Sequence, residues 1–184
     1  ELIQLGFSIK AMTWFHSYLH HRQQAVEVNS KRSQWNHTVL GVPQGSVLGP
    51  LLHSLYVNDM PVVLHNCSHV YFADDTVIWR RTAVDNIEEC VVKVNDDIKQ
   101  LCDWGKCNNS RLNYSKSSAV IFGSSGFLAQ LDVYPHPPIC NDSHFLQYST
   151  SVKYLGVLFE STLSWRKQVT AICRRTFGSL YRLK

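Results

Sequence analysis

The 184-residue chain is most informative first through what it lacks. No apolar run approaches the roughly 18 residues that a membrane-spanning helix requires, which excludes an integral helical membrane protein. Charged residues make up only 17% against 45% hydrophobic ones, excluding a disordered acidic or basic tail and leaving enough apolar side chains for one domain, or one plus a small appendage. The six cysteines form no C-x-x-C pair, and no histidine stands at zinc-finger spacing from them, so the common structural zinc modules are excluded. No Gly-Lys-Ser/Thr follows the Pro/Gly-rich loop at 41–46, which excludes a P-loop. No stretch reads as a secretory leader, so reduced thiols are expected, and the N-x-S/T triplets at Asn36, Asn66, Asn108, Asn113 and Asn141 read as chance in an Asn/Ser-rich chain. The chain opens on Glu1, inside a helical pattern and without Met; the expectation is a fragment.

Charge is distributed unevenly. Residues 1–81 carry six Lys/Arg and five acids, residues 82–104 two and six, and residues 105–184 ten and three. No acid follows Glu160, while Arg166, Lys167, Arg174, Arg175, Arg182 and Lys184 crowd the end. A basic end of this kind suits a polyanion, although a solvated helix face is the plainer reading of charge alone.

Periodicity gives the organisation. Ile9, Met12, Phe15, Tyr18 and Leu19 predict a helix over 8–21. Short strands are predicted over 24–29 and 34–42, and an apolar helix from Val47 to about Met60. Residues 69–79 read as strand, acidic turn, strand. The 4-3-4-3 spacing of Ile87, Val91, Val94, Ile98 and Leu101 predicts the clearest helix, with Thr82 as N-cap, Gly105 as its stop and its acids on the polar side. A loop at 113–116 leads into a strand at 118–122. Residues 123–150 read as a surface excursion, 153–159 as a strand, and 163–183 as a basic helix with Trp165, Val169 and Ile172 inward. The fold class is α+β with a helical C-terminal extension, without internal repeats.

Asp74-Asp75 is the chemical outlier. Adjacent carboxylates between apolar strands repel each other, and a tight turn brings both near one point. Mg²⁺ relieves that repulsion and takes one or two carboxylates plus substrate phosphates. An exposed hairpin turn, where Asp is common, explains the pair without any metal. The 41–50 loop opening a helix offers backbone N–H groups and a Gln44 amide to a phosphate, or is simply a rigid turn.

In their order these segments resemble a known family. Gly41-Val-Pro-Gln-Gly-Ser-Val-Leu-Gly-Pro-Leu-Leu52 with Ser54-Leu-Tyr-Val-Asn-Asp59 is similar to a block of the reverse transcriptases of non-LTR (LINE-type, jockey-like) retrotransposons. Phe72-Ala-Asp-Asp75 resembles that family's catalytic hairpin. Leu112-Asn-Tyr-Ser-Lys-Ser117 resembles its Leu-Asn-x-x-Lys-Ser/Thr block, and Tyr154-Leu-Gly-Val157 with Leu163-Ser-Trp165 its primer grip. His53 departs from the family's usual Phe.

The resemblance implies a polymerase palm, an antiparallel sheet backed by helices, over residues 1–160, with 161–184 beginning the thumb or connection. It implies that Asp74 and Asp75 bind two Mg²⁺ ions for nucleotidyl transfer onto a DNA primer from deoxynucleoside triphosphates on an RNA template. Lys116 would stand near the triphosphate as a general acid, Pro43, Gln44 and Gly45 near nucleotide and template, and Tyr154, Leu155 and Gly156 at the primer end. The family's first catalytic Asp falls before Glu1, so the expectation is an inactive isolated chain. A non-catalytic remnant that binds nucleic acid is the alternative. The location implied is intracellular, in nucleus and cytoplasm.

Overall fold

The computed structural model describes residues 3–131, 136–141 and 144–182. Contacts group the chain into two compact units, Glu1–Asn58 and Asp59–Lys184.

In the first unit, α1 (Ile9–Leu19) starts where Ser8 Oγ accepts a hydrogen bond from the Ala11 N–H at 3.3 Å, an N-cap that satisfies one of the free donors of the first turn. Phe15 is its buried residue, edge-on to Phe7 and Trp14 at 5.8 and 5.3 Å. Four short strands follow instead of the two expected: β1 (Arg22–Gln24) pairs with β4 (Asn36–Thr38), and β2 (Glu27–Val28) with β3 (Lys31–Arg32), both antiparallel. The split comes from Asn29 and Ser30, whose φ values of +50° and +60° match a two-residue type I′ turn. Helix α2 is shorter than expected at Gly49–Tyr56; Pro50 suits its first turn, and the Gly49 N–H donates to Ser46 Oγ at 3.0 Å.

The second unit opens on a 3₁₀ turn, Met60–Val63, and a hairpin of β5 (Ser68–Phe72) and β6 (Asp75–Trp79). A second 3₁₀ turn, Val84–Asn86, leads into α3 (Ile87–Cys107), so Thr82 is not the N-cap expected of it. Nor does Gly105 stop the helix. It is buried inside α3, where a Cβ would sit 2.9 Å from the Ser110 carbonyl oxygen. The stop is a Schellman closure, with Asn109 at φ +55° and the Ser110 N–H donating to the Gly105 carbonyl at 2.8 Å.

Val91, Ile98 and Cys102 of α3 form the core with Ile139, and Ile78, Val94, Tyr114 and Tyr148 pack around them. The buried Val91, Ile98 and Ile139 each contribute about 1.5–3 kcal/mol by leaving water. Ile139 overturns the reading of 123–150 as a surface excursion. That stretch holds α4 (Ser125–Leu131) and the hairpin of β7 (Ile139–Asn141) and β8 (His144–Leu146), and it buries Leu131 and Ile139. The strand expected at 118–122 reduces to one bridge between Ala119 and Tyr148. The strand expected at 153–159 is a hairpin, β9 (Ser151–Tyr154) and β10 (Val157–Glu160).

The basic helix α5 (Arg166–Arg182) buries nothing, and Trp165, Val169 and Ile172, expected inward, are each about half exposed. The fold class is α+β as expected. The described strands form five separate antiparallel pairs rather than one continuous sheet.

Candidate active site

The β5–β6 register pairs Phe72 with Asp75 and leaves Ala73 and Asp74 as a two-residue turn. Ala73 has φ +53°, a left-handed conformation at the first central residue, where type II′ hairpins prefer glycine. Asp74 occupies the turn and Asp75 opens β6, and both side chains are exposed. The alternation of β5 turns His69 and Tyr71 toward the protein, their rings 5.1 Å apart. His69 Nδ1 and Tyr71 Oη are buried there without a hydrogen-bond partner, and burial pushes the Tyr71 hydroxyl up.

Two neighbouring exposed carboxylates fit Mg²⁺, which takes a few hard oxygen donors and keeps its remaining positions for water and phosphate. Among the described residues no group of three or more His, Cys, Asp or Glu is placed to hold a metal. The pair is therefore a partial donor set.

Helix α3 anchors the chain on its way into this hairpin. Asp97 is fully buried. Its Oδ1 accepts from the His65 N–H at 3.2 Å and from Asn66 Nδ2 at 2.9 Å, and its Oδ2 from the Asn66 and Cys67 N–H groups at 3.0 and 2.8 Å. Burial pushes its carboxyl up, but these accepted bonds outweigh burial and hold it below the usual carboxylate range. Burial, with the Asp97 carboxylate alongside, pushes the Cys67 thiol up to about 12. Two turns further along α3, Trp104 Nε1 donates to Asp59 Oδ1 at 3.0 Å, which gives that aspartate a structural partner. The sequence reading placed the acids of α3 on its solvated side. The overlooked signal is that Asp97 lies seven residues from both Cys90 and Trp104, in register with the buried stripe.

Lys116 lies exposed in the 113–117 turn, its N–H donating to the Asn113 carbonyl at 3.1 Å. The turn is held by Tyr114, whose hydroxyl accepts from Asn141 Nδ2 at 3.0 Å and whose ring stacks on His144 at 4.2 Å. Lys116 forms no ion pair with Asp74 or Asp75, so the structure does not bring these three together directly. Tyr154 ends β9, and Leu155 and Gly156, with φ +47° and +84°, make the β9–β10 turn. In the first unit Pro43 is half-buried, while Gln44 and Gly45 are exposed, with Gly45 at φ +78°. The start of that loop is latched by Arg22, whose Nη2 donates to the Leu40 carbonyl at 3.4 Å and to the Gly41 carbonyl. On α5, Lys167 reaches Ser151 Oγ at 3.1 Å, and its arginines form no ion pair among the described residues.

The α+β chain thus presents adjacent exposed carboxylates on a hairpin tip and, on α5, arginines that form no ion pair among the described residues. Residues 4–159 match the reverse transcriptase (RNA-dependent DNA polymerase) family, and the chain belongs to that family. It is 35% identical over 163 residues, 86% of its length, to the probable RNA-directed DNA polymerase from transposon X-element of Drosophila melanogaster. It is 27% identical over 165 residues, 85% of its length, to the RNA-directed DNA polymerase from mobile element jockey of Drosophila funebris. It is 28% identical over 178 residues, 91% of its length, to the probable RNA-directed DNA polymerase from transposon BS of Drosophila melanogaster. The chain spans 17% of the first two relatives' lengths and 18% of the third's. No solved structure matches it. No helix among the described residues is long and apolar enough to cross a membrane.

Proposed function

We propose that the chain is part of the palm of an RNA-directed DNA polymerase encoded by a non-LTR retrotransposon, extending a DNA primer with deoxynucleoside triphosphates on an RNA template. The observation that carries this is the Asp74–Asp75 pair at the tip of a two-residue hairpin turn, inside the segment that matches the family. The palm piece runs to residue 160, and 161–184 begins the thumb or connection. Asp74 and Asp75 would hold part of a two-Mg²⁺ site, and ions bound there would supply Lewis-acid activation of the primer 3′-hydroxyl and charge neutralisation on the leaving pyrophosphate. Lys116, exposed on a turn fixed by Tyr114, supplies a cation and a proton to the triphosphate. Pro43, Gln44 and Gly45 line the nucleotide and template, and the β9–β10 turn at Tyr154, Leu155 and Gly156 holds the primer end. The protein acts inside the cell, as part of a ribonucleoprotein in cytoplasm and nucleus.

The test is a segment exchange. Residues 4–159 replace the corresponding segment of the X-element polymerase, and primer extension on an RNA template is measured with Mg²⁺. Extension is expected from the chimera and not from its Asp74→Asn or Asp75→Asn versions. A chimera that extends equally well with both changes refutes the assignment. The isolated chain is expected to extend nothing, because two carboxylates leave the metal site short of donors. That partial donor set also favours a second reading, a non-catalytic remnant that retains nucleic-acid binding, which an inactive chimera with intact folding selects.

A further inference from the structure

The hairpin that carries Asp74 and Asp75 is a two-stranded sheet joined to no other strand among the described residues. An isolated pair of strands is marginally stable in water, so its position depends on what holds its base. On the β6 side, Ile78 packs against the core and Arg80 Nη1 donates to the Asn66 carbonyl. On the β5 side, Asp97 holds the chain at 65–67, immediately before Ser68, through three successive main-chain N–H groups and the Asn66 amide. Burying a carboxylate is costly unless it is hydrogen-bonded, and here main-chain N–H groups that no apolar residue could satisfy converge on it. What it supplies is direction: three N–H groups converging on one carboxylate fix both the place and the orientation of the backbone they belong to. Arg80 then ties the far end of the hairpin to the same Asn66.

We propose that Asp97 is a positioning residue for the Asp74–Asp75 hairpin: from its buried place on α3 it captures the N–H groups of His65, Asn66 and Cys67 and so fixes where β5 begins and where the two aspartates stand. Its bearing on catalysis rests on the function proposed above; the anchoring itself does not.

Amide hydrogen exchange on the 184-residue chain tests it, comparing the wild type with Asp97→Asn and Asn66→Ala. In Asp97→Asn an amide replaces one acceptor oxygen and points a donor at other donors. Exchange at residues 68–72 and 75–79 is expected to accelerate about tenfold relative to residues 91–102 of α3. Asn66→Ala removes one donor and keeps the main-chain ones, so it shifts the same amides in the same direction by a smaller factor. A merely structural residue would lower protection in hairpin and helix alike; that result, or unchanged hairpin exchange, overturns the proposal. If Asp97→Asn does not fold, Asn66→Ala decides on the same criterion. Mn²⁺-induced broadening of amide resonances at 73–76, lost in the Asp74→Asn/Asp75→Asn double variant, tests the metal reading separately. Absence of that broadening overturns the metal reading and leaves the anchoring standing, whereas broadening without a hairpin-selective exchange effect overturns the anchoring.

Discussion

The basic helix α5 gives the most quantitative expectation. At 100° per residue, Arg174, Arg175 and Arg182 fall within an arc of about 100°, so one face can present three guanidinium groups to a duplex along a helix about 25 Å long. None of them is consumed by an acid among the described residues, since the ion pairs found are Arg32–Glu27, Lys93–Glu89 and Lys106–Asp103. Three neutralised phosphates give a slope of about −2.7 in log K against log salt, so affinity for B-form DNA falls about 40-fold between 50 and 200 mM salt. Replacing Arg174 and Arg175 with Gln leaves one contact on this face, a slope of about −0.9 and a fall of about 3.5-fold. Both substitutions are on the surface of a helix that buries nothing, so circular dichroism should show the fold unchanged. Fluorescence anisotropy of a labelled 20-base-pair duplex, titrated at four salt concentrations, measures both slopes. A wild-type slope near zero, or the same slope in the double variant, refutes the assignment of binding to this face.

Three further outcomes follow from the hairpin and its anchor. Tyr71→Phe removes a buried hydroxyl that has no partner and should stabilise the chain by about 1 kcal/mol, read as a higher thermal midpoint; a lower midpoint refutes it. Ala73→Gly relieves a left-handed alanine and should stabilise the turn by about 0.5–1 kcal/mol in urea denaturation, where a loss of stability would show that the strain is absent. Asp97 links stability to pH. Its folded-state carboxyl lies below the unfolded value of about 3.9, so its contribution is complete above that value and is lost as pH falls through the folded-state one. Urea midpoints should therefore hold from pH 7 to 5 and drop below 4, at a salt concentration that screens the exposed pairs of Glu89 and Asp103. The same drop in Asp97→Asn would refute the linkage.

The elements legible in the sequence were those whose signal is local. The alternation around Asp74-Asp75 gave the hairpin, and the 4-3-4-3 stripe gave α3 almost to its ends. Its ends were misread because capping depends on backbone geometry: Asn109, a residue tolerant of positive φ, closes the helix, while Gly105 makes room for Ser110. Splitting 24–42 into four strands needed the recognition that Asn29-Ser30 takes a type I′ turn. The burial of Ile139 was illegible because its partners lie some 40 residues earlier on α3. The carboxylate pair was visible as two adjacent acids between apolar strands. Asp97 was not, because a buried acid and a solvated one look the same until the N–H groups aimed at it are in place.

Those N–H groups are part of a wider pattern on α3. Trp104 holds Asp59, Asp97 holds 65–67, and Asn95 accepts from the Cys140 N–H at 3.0 Å while its Nδ2 donates to the Pro138 carbonyl at 3.1 Å. Each of these polar side chains reaches a segment that has no continuous sheet to fix it. The helix thus does by side-chain hydrogen bonds what a multi-stranded sheet does by its ladder: it sets the register of the 59–67 link and of β7 against one rigid rod. The cost is sensitivity, because each anchor depends on a single side chain whose loss leaves buried donors or acceptors unpaired. Substitutions at Asn95, Asp97 and Trp104 should therefore each loosen a different segment, and their effects should add only where the segments they hold do not touch.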